Sequence, residues 1–298
     1  MFARLKRALN VTRIAITPPT PQPGRDGIAL VAILRNEARH IEEWAQFHLR
    51  AGIGHFIIYD NGSTDGTQEV LRKTIPAAAL TLIPWDQKFR FGPWNAEIHN
   101  QILAYAHAAR NFGGAYRWMT WIDADEFLVP RGADILPEAL APLEGCAMIS
   151  LPWHMFGRCG HATVPTGGIV SNFLRRHPDP MQKGLLNFKI IADPCAVTAC
   201  KVHEMEVRGK TESCNDRGWV ASLARRENAA FYSADRVQLN HYFTRSGADL
   251  DEKLSRGSNM TALSDKRRRT LRKVAAIEAA EIEDRSAADW WARMNRKP

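Results

Sequence analysis

Residues 28–67 read IALVAILRNEARHIEEWAQFHLRAGIGHFIIYDNGSTDGT. The opening Ile28–Leu34 is an unbroken apolar run of strand length, which predicts a strand buried on both faces. Over residues 38–51, Ile41, Trp44, Ala45, His48 and Leu49 recur at helical spacing. A second buried strand is expected over 55–59. The turn-forming DNGSTDG at 60–66 then leads into a helix over 67–73, with Thr64 or Asp65 as its cap. Working outward, Leu80–Pro84 reads as a third strand, 97–110 as a helix and 118–122 as a fourth strand. Strand and helix alternating in this way predict an α/β fold, Rossmann-like, with a mostly parallel sheet flanked by helices.

The Pro-rich TPPTPQPG at 17–24 cannot be helix or central strand, so residues 1–27 read as a basic arm and linker. The main domain is expected over 28–245, folded from about Ile28 onward. Strands are expected at 147–153 and 237–239, with no clear period between them. Residues 246–298 are charged and alanine-rich and read as a helical extension. With 298 residues and 45% apolar content, one large α/β core is affordable. The formal charge of +8 points to anionic company: a phosphate-bearing substrate, nucleic acid or an anionic membrane face. Five cysteines without a CxxC pair argue against a disulfide framework or structural zinc, and favour a reducing compartment. The basic N-terminal stretch lacks the apolar run of a signal peptide or membrane span. The expectation is a soluble, cytoplasmic protein, with peripheral contact at the inner membrane face left open by the basic arm and by Lys266 to Arg269.

The sharpest chemical signal is WMTWIDADEFL at 118–128, in which a buried strand ends in Asp123, Asp125 and Glu126. Carboxylates that close repel one another unless a proton or cation intervenes, and oxygen ligands of this kind suit a hard divalent ion. In an open parallel sheet such a cluster sits at the carboxyl ends of the strands, where ligands gather. A bare DxD is common by chance, but here it is pinned between buried residues. Arg35, Asn36 and Glu37 follow the first strand, and Asp60 to Asp65 the second, so both loops open on that same edge. Their carboxylates and amides can accept from ribose or base, and Arg35 can face phosphate.

Taken together, the segment VAILRNEARHIEEWAQFHLRAGIGHFIIYDNGSTDGT, WMTWIDADEFL, FGPWNAEIHNQIL, LPWHMFGRCGH and NHYFTRSGADLDEKLSRG resemble the inverting GT-A glycosyltransferases of family 2. They resemble the family-92-like relatives more closely. The resemblance implies a hexosyltransferase-type enzyme taking a nucleoside-diphosphate sugar, such as a UDP-sugar, and a glycan or other hydroxyl acceptor. It implies Mn²⁺ or Mg²⁺ held by Asp125 with Asp123 and His241, the three residues also expected to be catalytic. Asp60 would contact uracil or ribose, with Asn36, Glu37 and Asp65 in the same pocket. Arg35, Asn100, Asp123, Lys189 and His203 complete the implied nucleotide-sugar site, and Lys189 and His203 are also placed to meet phosphate or acceptor.

For the acceptor-activating base, Glu204, Glu206, Glu212, Asp216 and Asp249 compete without a deciding motif. Trp153, Phe156 and Gly157 are candidates for an acceptor platform. No nucleic-acid partner is expected on this reading. The competing reading is a non-catalytic nucleotide- or polyanion-binding α/β module, which rests on basic charge alone. Glycoside hydrolysis is weaker, because acids adjacent on one strand end cannot straddle a glycosidic bond.

Overall fold

The computed structural model describes residues 11–92, 96–255 and 263–296. The basic residues Arg4, Lys6 and Arg7, and residues 93–95 of FGPWNAEIHNQIL, lie outside the described residues. The first half of the chain forms β1 (Ile14–Ala15), β2 (Ile28–Leu34), α1 (Ile41–Arg50), β3 (His55–Asp60), α2 (Thr67–Thr74), β4 (Leu80–Pro84), α3 (Asn100–Phe112), β5 (Trp118–Trp121) and β6 (Glu126–Pro130). The second half supplies β7 (Met148–Met155), β8 (Phe188–Ala192), β9 (Val197–Cys200), β10 (Glu212–Cys214), β11 (Val220–Ser222) and β12 (Val237–His241). It ends in α4 (Gly247–Ser255), α5 (Leu263–Glu278) and α6 (Ser286–Arg296).

A ten-stranded sheet runs in the order β11, β10, β7, β8, β5, β2, β3, β4, with β12 bridging β7 and β6. The half from β5 to β4 is parallel throughout, as the alternation of elements predicts. The other half is mixed: β8 runs antiparallel to both β5 and β7, and β10 and β12 run parallel to β7. The connection between β7 and β8 holds only the four-residue helix Ile169–Asn172, too short for a crossover, and the two strands pair antiparallel.

Side chains of β2 alternate between two cores. Ile28, Leu30, Ala32 and Leu34 join Trp44 and Phe47 of α1, while Ala29 and Val31 join Ile102 and Tyr105 of α3. Burial on both faces explains why the strand is apolar without a break. On α1, the buried Ile41, Trp44, Ala45, Phe47 and His48 form one face, and Glu42 and Glu43 sit favourably in the first turn. The C-terminal α6 docks on the same core, with the Trp290 ring 4.5 Å from that of Phe47.

Three local expectations are corrected. The cap of α2 is Gly66, in the left-handed region at φ 91°, rather than Thr64 or Asp65. Asp65 instead accepts from the Thr67 amide at 3.0 Å from one position further back. The ordered chain also begins before Ile28, because Ile14 and Ala15 pair antiparallel with Cys200 and Ala199. The third correction concerns the cysteines: Cys146 and Cys214 are disulfide-bonded, while Cys159, Cys195 and Cys200 are free. Parallel pairing sets Cys214 opposite Ile149, close to Cys146 where the chain enters β7, a proximity invisible in a sequence separation of 68. The cysteine set therefore gives no support to a reducing compartment.

Loop-closure entropy for that separation corresponds to roughly 4 kcal/mol. Cys146→Ser is accordingly expected to lower the urea midpoint clearly, and an unchanged midpoint would remove the bond's structural role. Among the described residues no helix is long and apolar enough to cross a membrane. Arg267, Arg268 and Arg269 are exposed on α5.

Candidate active site

Two loops at the carboxyl ends of β2 and β3 are tied together by their own side chains. Asn36, in the left-handed region at φ 55°, accepts from the Thr64 amide through Oδ1 at 2.9 Å, and its own amide donates to Ser63 Oγ at 3.0 Å. The Glu37 amide donates to Thr67 Oγ1, and the Ala38 amide to Asp65 Oδ2. Asp65 thus serves as a latch between the loops. Asp60 is buried and turned inward, accepting from the Ser63 amide of its own loop at 3.2 Å and from Gln68 Nε2 of α2 at 2.5 Å. Asn100 donates to Asn61 Oδ1 and to the Trp85 carbonyl, while its own Oδ1 is buried with no partner among the described residues.

The DADE segment joins β5 to β6 and directs its acids to different partners. Asp123, about one-third exposed, accepts from Lys189 Nζ at 2.8 Å and from Gln101 Nε2 at 2.9 Å. Glu126 is wholly buried, accepts from the Asp123 amide at 2.7 Å, and lies 3.4 Å from the same lysine. Burial pulls the Lys189 pKa down, but Asp123 and Glu126 outweigh it and hold the ammonium well above its ordinary value. Burial pushes the Glu126 carboxyl up. Lys189 opposes that, Asp123 and Asp125 add to it, and the result stands well above the usual carboxylate range. One ammonium thus answers two acids, Asp123 and Glu126.

Asp125 faces the other way. Its Oδ2 is 2.9 Å from Lys253 Nζ on α4 and 3.4 Å from His241 Nε2 at the end of β12. Burial raises the Asp125 pKa, but Lys253 and then His241 pull it well below the usual range. For His241 burial prevails over Asp125 and lowers the pKa, keeping the imidazole neutral, and its Nδ1 is buried with no partner among the described residues. Arg245, also buried, bonds Glu37 at 3.0 Å and the Ala124 carbonyl at 3.0 Å, which fastens the β2 loop to the DADE segment. Trp153 stands between the two histidines, with ring centroids 4.4 Å from His241 and 5.3 Å from His203. Burial, then Lys189, lowers the His203 pKa to about 3.

A cleft of about 110 Å³ opens here, lined by Asn36, Glu37, Asp65, Asp125, Arg245 and Lys253 among others. Asp123, Lys189, His203 and His241 lie on the adjoining strand ends. Arg35 is exposed and does not line the cleft, and Asp60 is withdrawn from it. Trp153 and Phe156 are both buried, so ordinary packing accounts for them.

Three of the candidate bases are engaged elsewhere: Glu206 is held by Arg13, Glu204 by Lys201 and Arg226, and Asp216 by the Arg236 and Val237 amides. Asp249 lines the cleft itself, where it bonds His40 and Ser246. Glu212 lies on a different cleft, beside Trp219. Lys253, Arg245 and Gln101 were not singled out from the sequence. The signal for the first two lay inside NHYFTRSGADLDEKLSRG, where Arg245 and Lys253 flank Asp249.

The donor set suits a hard divalent ion in one respect, since Asp125 oxygen and a neutral His241 nitrogen converge. Among the described residues no group of three or more His, Cys, Asp or Glu could hold a metal. A Mn²⁺ or Mg²⁺ ion here would therefore depend on substrate phosphates and water for its remaining ligands, a common arrangement for Mg²⁺.

The chain is 28% identical over 206 residues to a glycosyltransferase family 92 protein of Oryza sativa subsp. japonica, covering 62% of this chain and 34% of that protein. It is 26% identical over 109 residues to a galactan β-1,4-galactosyltransferase of Arabidopsis thaliana, covering 36% and 20%. The chain spans about a third of the length of the family 92 plant proteins it matches. Among solved structures it is similar to residues 1–349 of S. aureus TarS, at 14% identity and a TM-score of 0.34, covering 57% of this chain and 48% of that one. The pattern of glycosyltransferase family 92 runs across residues 31–276, from β2 through the DADE segment and β12 into α5, and so takes in every element that builds the cleft. By that match, the chain belongs to glycosyltransferase family 92.

Proposed function

We propose that this chain transfers a hexosyl group from a nucleoside-diphosphate sugar, specifically a UDP-sugar, to a hydroxyl of a glycan acceptor, with inversion. The observation that carries the reading is the meeting of Asp125 and His241 with the cations Lys253 and Arg245 at the strand ends of the parallel half-sheet. A carboxylate and a neutral imidazole beside fixed cations suit a polyphosphate, whose charge grows as it departs. Asp125 and His241 would hold a Mn²⁺ or Mg²⁺ ion, which would supply positive charge for the departing diphosphate. Lys253 and Arg245 add charge that needs no reorganisation, because Asp125, Glu37 and the Ala124 carbonyl already hold them in place. Asn36, Glu37 and Asp65 face the nucleoside, and the buried Asn100 Oδ1, without a partner among the described residues, offers an acceptor for a base or ribose donor. The name of the Arabidopsis relative favours a polysaccharide acceptor.

A thermal-shift screen of nucleoside diphosphates with and without Mn²⁺, followed by donor-hydrolysis assays, tests this. UDP at a hundredfold its Kd is expected to add about 2.7 kcal/mol in the presence of metal. Salt-sensitive nucleic-acid binding without metal, and no response to any nucleoside diphosphate, would replace the enzyme with a polyanion-binding module.

A further inference from the structure

We infer that Lys273, on helix α5, is a third cation of the diphosphate subsite, in addition to Lys253 and Arg245, an inference that rests on the donor reading above. Its ammonium lies 5.6 Å from the Trp153 ring centroid and 5.7 Å from that of Phe243. The Lys253 ammonium of α4 stands 4.1 Å over the same Phe243 ring. Two lysines from separate helices thus stand against one ring, Phe243, which packs 5.4 Å from the His241 ring, and Lys253 also bonds Asp125. Their charges are answered differently. Lys253 bonds Asp125, whereas Lys273 has no ion pair among the described residues, and the charged groups that act on it are Lys253 and Arg269.

Packing holds the lysine there. The adjacent Val274 is buried against Leu250 and Leu254 of α4, with Phe243 partly buried on the same cluster. A half-buried ammonium beside other cations loses hydration and gains repulsion, and the two rings return only part of that. Burial first, then Lys253 and Arg269, lowers its pKa. An anion reaching over Asp125 relieves all three cations together. A diphosphate carries enough charge to do so, and its two phosphate groups can meet the two lysines from one side.

Pyrophosphate and UDP, titrated by calorimetry onto the full chain with Mn²⁺, test the inference. Lys273→Met is expected to weaken both ligands at least tenfold, and Lys273→Arg to stay within about threefold of the parent. Without ligand, the unfolding midpoint of Lys273→Met should not fall, since a repulsion has been removed; a merely structural lysine would show a drop that ligand does not modify. Lys273→Met binding both ligands within twofold of the parent overturns the inference and leaves the donor reading standing. A parent that binds pyrophosphate but not UDP, with Lys273→Met losing it, keeps the anion site and overturns the donor reading. A parent that binds neither overturns both.

Discussion

Asp125→Asn is expected to reduce sugar transfer by at least about 10³-fold while leaving the fold intact. The substitution keeps the volume and removes the charge on which Lys253 and His241 converge. In the parent, burial works against the ionised form and Lys253 and His241 overcome it, so the carboxylate stays charged throughout the neutral range. An amide there can neither neutralise Lys253 nor serve as a charged ligand, and the surroundings of the departing diphosphate change where charge develops. Lys253 keeps its bond to the Phe243 carbonyl and about one-third of its exposure, which limits the cost to stability to about 1 kcal/mol. Steady-state transfer and urea unfolding measured on the same preparation check both parts. Turnover within tenfold of the parent would detach Asp125 from the reaction.

Lys189→Met should act chiefly on stability, with a loss of about 3–5 kcal/mol. Only 1% of this side chain is exposed, and its ammonium answers both Asp123 and the fully buried Glu126. Methionine fills the space but leaves those acids without a counterion. Glu126 then takes up a proton more readily still, because the nearby charge that lowers its pKa has gone and only the Asp123 amide still favours the ionised form. The sign follows from the raised folded pKa. Between the ordinary value and the folded one the native state binds more protons than the unfolded, so stability falls as pH rises through that window. The loss should therefore be larger at pH 8 than at pH 5. Adding Glu126→Gln should recover part of it, and that double-mutant cycle separates the ion pair from packing. A loss below about 1 kcal/mol, independent of pH, would show that the lysine does not hold the cluster together.

Cys146→Ser and the Lys273 variants address other parts of the molecule. The former reads the part of the sheet where β10 meets β7, and the latter the helix whose Lys273 reaches Trp153 and Phe243.

What the sequence determined by itself is the parallel half of the sheet and the identity of the acidic centre. Ile28–Leu34 and His55–Asp60 are apolar almost without interruption because both faces are covered, and α1 carries its buried residues on one stripe. Local periodicity records that kind of burial. The placement of Asp123, Asp125 and Glu126 was legible for a related reason: charges set directly between two buried strands need partners. The different partners of the three acids were not legible. Lys189, Lys253 and His241 come from 66, 128 and 116 residues away, and only strand order brings them to one edge.

Tertiary structure also decided that Asp60 is buried against Gln68 of α2 and that Asp65, on the lining of the cleft, ties two loops together, the latter through a hydrogen bond between segments that spacing does not encode. The mixed half of the sheet, the Cys146–Cys214 bond and the position of Lys273 against Trp153 belong to the same class. Each is a contact between elements far apart in the chain, set by how the layers pack, whereas a single sequence displays only which faces are buried.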